Sequence, residues 1–256
     1  MSSVPWYLWA LVVISIGLIL FATVRELWAS AKAVGVGDAK AKRAVVLFAA
    51  GYVGWILVTT ALAAGNVYRM EKNAIKPWIL LGFAVPLVGL LLLARRPAVA
   101  RILSGPQIVS RLARPHEVRV VGVIFLIALA LGLLPLAFAL PAAFGDIAIG
   151  LAARRVSRRL RDGDGKRRAI WFNILGIVDF LTAFVIGFIG GPGPSPILHL
   201  TPTTQDASTL PLVLIPTAGV PLLFALHIVS LARLRRPRVS AATAPVRQPA
   251  ASGIGS

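Results

Sequence analysis

The chain has 256 residues, 27 lysines and arginines against nine acids, a formal net charge of +18, no cysteine and a mean hydropathy of +0.83. That hydropathy leaves no room for a soluble domain beside the apolar runs, and the missing cysteine excludes a thiolate nucleophile, a thiolate metal site and a disulfide. Clustered positive charge would suit phosphate binding, but here it is dealt out in the gaps between apolar runs, which assigns it to membrane topology rather than to nucleic acid.

The apolar runs cover residues 5–24, 44–64, 77–94, 120–153, 169–189 and 211–232. A bilayer core about 30 Å thick takes about 20 helical residues, so five of these runs fit one span each. The run 120–153 would make a helix of about 50 Å, too long for one crossing. It predicts two short helices with a break at Pro135 to Pro141; a re-entrant hairpin there is the alternative. Met1 to Val13 lacks the basic start of a signal peptide, so the first span is expected to be retained. Trp6, Tyr7 and Trp9 read as an interfacial belt at its start and Trp28 as an anchor at its far end.

Charge sets the expected orientation. Arg25 to Arg43, Arg95 to Arg119, Arg154 to Arg168 and Arg233 to Arg247 hold all the basic residues except Arg69, Lys72 and Lys76. Short cytoplasmic loops collect Lys and Arg, so the rich segments should be cytoplasmic and an even number of spans should separate them. The expected fold is therefore an all-α polytopic bundle of seven transmembrane helices, amino terminus outside and carboxyl terminus cytoplasmic. Residues 1–239 form the membrane domain, with spans at about 5–24, 44–64, 77–94, 120–135, 137–153, 169–189 and 211–232. Residues 240–256, rich in Ala, Pro, Ser and Gly, are expected to be a disordered tail. Pro192, Pro194, Pro196 and Pro202 keep the segment Gly190 to Leu210 from being a regular helix. Ala44, Gly51 and Val53 match Ala169, Gly176 and Val178 at one offset, which would fit a parallel repeat of spans.

Chemistry must start from the polar residues inside the apolar runs. Asp146, Asp179 and His227 lie in the fifth, sixth and seventh expected spans, with Asn173 below Asp179. An ionisable group at membrane depth costs at least about 2.5 kcal/mol and so faces the bundle interior with a partner. Measured from the basic edges at 1.5 Å per residue, Asp146 lies about 12 Å, Asp179 about 16 Å and His227 about 9 Å into the membrane. Gly145, Gly150 and Gly176 allow close approach of the helices there. Asn173, Thr182 or a backbone amide could hold a buried Asp, and Ser230 or a carboxylate could hold His227, in a purely structural arrangement.

Three functional classes follow. The first, and the favoured one, is a proton- or cation-linked small-solute transporter. Asp179 would be the principal site, Asp146 its coupled carboxylate, His227 a relay near neutral pH and Asn173 a support. The second is a non-catalytic membrane partner or sensor with a basic inner face for anionic lipid and a Gly187/Gly191 pair for association with itself or another membrane protein. The third is an intramembrane hydrolase with an Asp146/Asp179 dyad, although Gly145-Asp146 is one residue short of a Gly-x-Gly-Asp string. No cofactor and no metal site is expected. The last span has no lysine for retinal, and a bis-histidine haem needs two intramembrane histidines, whereas His116 and His199 fall in the expected loops. No P-loop or Gly-x-Ser-x-Gly elbow occurs.

The strings Pro141 to Gly150, Trp171 to Asp179 and Pro221 to His227 resemble a group of uncharacterised bacterial multi-span membrane proteins. The resemblance implies a bacterial plasma-membrane location and a shared role for the three ionisable residues. It implies no activity.

Overall fold

The computed structural model describes residues 4–35, 38–72, 77–192 and 197–235. Among them every regular element is helical. Six helical stretches are long and apolar enough to cross a membrane: 6–33, 39–64, 78–95, 136–161, 166–189 and 215–235. The first three are α1 (Trp6–Ala33), α2 (Asp38–Ala64) and α3 (Trp78–Arg95); α4 (Pro97–Ile102) is a short turn after α3. The expected tail at 240–256 lies outside the described residues.

The long run 120–153 behaves differently from the expectation in two respects. Its break comes at Leu131–Pro135, and Pro141 sits inside the next helix, α7 (Leu136–Arg161). The arm before the break starts at Ile108 rather than Val120. It is built from α5 (Ile108–Ala113), a nine-residue 3-10 helix (Arg114–Gly122) and α6 (Val123–Ala130), without interruption. This broken helix pairs antiparallel with α7 along its length. Ser110 donates to the Ser157 carbonyl at one end, Gly150 meets the Val120 backbone in the middle, and Phe125 packs edge-on to Phe138 at the other. Arg111, Arg114, His116 and Arg119 thus belong to a packed helix and not to a loop. Sequence reading stops an apolar run at its first charge; here the charges are neutralised by partners inside the bundle, so the helix continues.

α8 (Lys166–Ile189) packs on α7, and α9 (Val220–Arg235) is the axis of the bundle. Every residue from Val220 to His227 is buried, whereas α2 and α3 bury few of their side chains. A helix that is apolar all round and buried all round belongs at the centre of a membrane bundle. One π turn, Ile215–Gly219, leads into α9 between Pro216 and Pro221. Proline removes an N–H, and the freed carbonyls must find donors in an apolar setting. Here Tyr52 donates its hydroxyl to the Ala218 carbonyl at 2.6 Å and Trp55 donates its indole N–H to the Thr217 carbonyl at 2.8 Å. These two bonds, with its packing on α1, tie the otherwise exposed α2 to the core.

Candidate functional site

The site is organised by a residue that the apolar runs hide. Arg119 lies on the 3-10 helix with its side chain 1% exposed. Its Nε donates to Asp146 Oδ1 at 2.6 Å, its Nη2 donates to Asp179 Oδ2, and its Nη1 donates to His227 Nε2 at 3.3 Å. The guanidinium also lies 4.0 Å from the centre of the Phe180 ring. One cation therefore gathers Asp146 of α7, Asp179 of α8 and His227 of α9. A planar fork with five donors can do this; a lysine ammonium has no such reach.

The histidine tautomer follows from the bonding. Arginine only donates, so His227 Nε2 accepts, and its Nδ1 carries the proton. That N–H donates to Asn173 Oδ1 at 2.9 Å, and Asn173 Nδ2 donates to the Ala169 carbonyl and to Ser230 Oγ. Asn173 thus supports His227 rather than Asp179. Thr182 binds the Val178 carbonyl and plays no part.

His116 was expected in a loop and is instead fully buried, stacked on His227 with ring centres 3.9 Å apart. The sequence objection to a bis-histidine haem therefore falls, but the geometry supplies another: rings in direct stacking leave no room for a macrocycle between them. Both His116 ring nitrogens are buried without a partner among the described residues. His116, Arg119 and Gly122 all face inward. Residues three apart eclipse in a 3-10 helix, so this spacing is the local reason that the two basic side chains reach one site.

Glycines make the approach possible. A Cβ on Gly145 would stand 1.6 Å from the Asp179 carboxylate, and one on Gly176 would stand 2.2 Å from His227 Nε2. By contrast Gly51, the counterpart of Gly176 in the supposed repeat, has open space beside it.

Two cavities flank the ion cluster. The larger, about 110 Å³, runs between α3, α6, α7, α8 and the π turn. Its walls are apolar, with Phe125, Phe138 and Phe184 among them, and its charged groups are Asp146 and Asp179. Met70 and Ala207 line its end away from the arginine-rich side, where Gln205 donates to the Met70 carbonyl. The smaller, about 40 Å³, lies on the α1 side, bounded by Ser15, Gly122, Arg119 and Asp146. The Arg119–Asp146 pair therefore forms part of the wall between two spaces. The acids keep 17% and 15% exposure while Arg119 is sealed, so a solute in the larger cavity meets carboxylate and not guanidinium. The two acids hold different nitrogens of Arg119, an arrangement unlike a dyad that shares one proton directly. No group of three or more His, Cys, Asp or Glu that could hold a metal occurs among the described residues.

A second charged group closes the arginine-rich end. Glu26 of α1, 3% exposed, accepts from Arg25, Arg111 and Arg114. Sequence reading missed it because Glu26 follows Arg25, immediately beyond an apolar run.

Residues 76–235 match a family described as a domain of unknown function (DUF8737), and the chain belongs to that family. The matched region starts at α3 and includes every residue of the Arg119 cluster. No curated protein and no solved structure matches the chain.

Proposed function

We propose that this member of a family of unknown function is a proton-linked membrane carrier for a small organic cation. The broken helix 108–130 would be a further crossing, making seven, with the amino terminus outside and the arginine-rich end in the cytoplasm of a bacterial cell. The observation that carries the reading is the charge balance at the cavity floor. Two carboxylates share one guanidinium, so with both ionised the cluster has one negative charge in excess, and that charge faces an apolar cavity. A proton or a cation with an apolar body can satisfy it, and the two compete for the same oxygens.

The carrier cycle follows from that competition. Protonation of the exposed carboxylate edge releases the solute; deprotonation invites it back. Arg119 holds the remaining carboxylate throughout, and its ion pairs with Asp146 and Asp179 are the movable part of the wall between the two cavities. Asp179 is the principal proton and cation site, Asp146 its coupled partner, and His227, fixed by Asn173, sets the third side of the guanidinium.

The test uses proteoliposomes loaded with a pH-sensitive dye. Phenyltrimethylammonium is a suitable probe because, being permanently charged, it cannot cross as a neutral base. Its addition should drive protein-dependent proton movement that Asp179→Asn abolishes. Proton movement equal to that of protein-free vesicles with phenyltrimethylammonium, Na⁺ and K⁺ alike would sink the carrier reading.

A further inference from the structure

The Glu26 cluster has the opposite imbalance from the central site, and the two are separate. One carboxylate faces three guanidiniums, leaving two positive charges in excess. Both Glu26 oxygens are already engaged: Oε1 by Arg25 at 3.0 Å and Arg114 at 2.9 Å, Oε2 by Arg111 at 3.5 Å. Three guanidiniums carry many more N–H donors than one carboxylate can accept. Arg111 Nε is buried and has no acceptor among the described residues. The Arg111 and Arg114 side chains keep 23% and 28% exposure and Arg25 keeps 57%, so the cluster opens to the surface although Arg111 Nε itself is buried.

A solvated basic face would hold its side chains outward in water. These three converge, from α1, α5 and the start of the 3-10 helix, on one buried point. Convergent guanidiniums with N–H donors to spare match the several acceptor oxygens of a phosphate group. A carboxylate ligand would fit the fork but would duplicate Glu26; a phosphate supplies three or four acceptors to as many donors. We propose that Arg25, Arg111 and Arg114 form a phosphate-binding site, with Glu26 as the internal counter-charge that holds them preorganised while the site is empty. The phosphate comes from an anionic phospholipid headgroup or from a free phosphate in solution. Either would clamp α1 to the segment that carries Arg119.

The proposal does not rest on the carrier reading, and the experiment keeps them apart. The full chain in detergent is melted with three probes at matched ionic strength: inorganic phosphate, dihexanoyl phosphatidylglycerol and dihexanoyl phosphatidylcholine. Potassium chloride is the control. Phosphatidylglycerol alone raising the melting temperature assigns the site to lipid; a rise with inorganic phosphate as well assigns it to any accessible phosphate. In Arg111→Gln/Arg114→Gln the increment should vanish or the apparent Kd weaken at least about tenfold, the worth of one charge-assisted bond. Glu26→Gln keeps an amide oxygen to position the arginines but removes the competing negative charge, so the increment should be kept or enlarged. Asp179→Asn should leave the increment intact. A structural role alone would lower the baseline melting temperature but leave the increment in the arginine variants. That result, or no increment in wild type with any phosphate-bearing probe, overturns the proposal. If the double variant fails to fold, Arg114→Gln carries the same comparison.

Discussion

Sharing one guanidinium between two acids has a thermodynamic signature that separate ion pairs lack. With Asp146→Asn, Arg119 keeps Asp179, and the cluster moves from one negative charge in excess to balance. Asp179→Asn does the same with Asp146. Each single change loses one charge-assisted bond but sheds one buried charge, so each should fall within about 1–2 kcal/mol of wild type. The double variant Asp146→Asn/Asp179→Asn leaves Arg119, 1% exposed, without a counter-charge. Stranding a buried charge costs about 3–5 kcal/mol. The double should thus exceed the sum of the singles by about 1–3 kcal/mol, the range of coupling seen for groups in one network. Arg119→Met strands two carboxylates and should be at least as severe, with partial recovery in Arg119→Met/Asp146→Asn/Asp179→Asn. Equilibrium unfolding in mixed dodecyl maltoside and dodecyl sulfate micelles, followed by the fluorescence of the six tryptophans, measures all five. Additive singles, or an Arg119→Met milder than Asp146→Asn, would refute a shared guanidinium.

Other expectations concern the supports. Gly145→Ala puts a methyl where the Asp179 carboxylate lies; it should expel Asp179, costing about 1–3 kcal/mol by overpacking, and remove dye-reported proton flux even though no ionisable group changes. Asn173→Leu takes the acceptor from His227 Nδ1 and should cost about 1–3 kcal/mol, read in the same micelle titration; Asn173→Asp, which retains an acceptor, should cost less. Tyr52→Phe leaves the Ala218 carbonyl at the π turn without its donor and should cost a similar about 1–3 kcal/mol, visible as earlier proteolysis or unfolding at α2. Asp206, in the segment that caps the larger cavity, has its carboxyl raised above the ordinary value by burial, against the pull of Arg69. An acid raised on folding loses stability as pH climbs from its ordinary value to its folded one. Asp206→Asn should therefore melt slightly higher than wild type at neutral pH, and the two should converge below the ordinary carboxyl range.

What could be read in advance follows the strength of each signal. Long apolar runs are properties of many residues at once, so the all-helical fold, with helices long and apolar enough to cross a membrane, survived local errors. The candidates Asp146, Asp179 and His227 stood out as polar residues within apolar runs, and Asn173 by its position below Asp179; all four do converge in one hydrogen-bonded cluster, with Asn173 on His227. Arg119 and His116 did not stand out. A basic residue beside an apolar run looks the same in sequence whether it marks the water interface or enters the bundle. The distinction is made by a counter-charge on another helix. Sequence did contain half of that information: two acids inside apolar runs with no cation among them imply that a cation comes from somewhere.

The other half is the helix type. In an α-helix a residue three places on has turned 300°, so His116, Arg119 and Gly122 would drift around the axis by 60° at each step. In a 3-10 helix they return to the same line. Arg119 can reach three other helices only if its neighbours three before and three after do not block the approach. His116 meets this requirement by lying flat on His227, and Gly122 by having no side chain where Asp146 Cβ stands. A nine-residue 3-10 run is costly in hydrogen-bond geometry and uncommon beyond three or four residues. Its length here spans the distance between two clusters of opposite imbalance, Arg114 on Glu26 at one end and Arg119 on Asp146 and Asp179 further along. Rewinding it to α would turn Arg119 by about 100° relative to Arg114. Both sets of ion pairs sit on this one 3-10 segment, so each helps to hold the other in register.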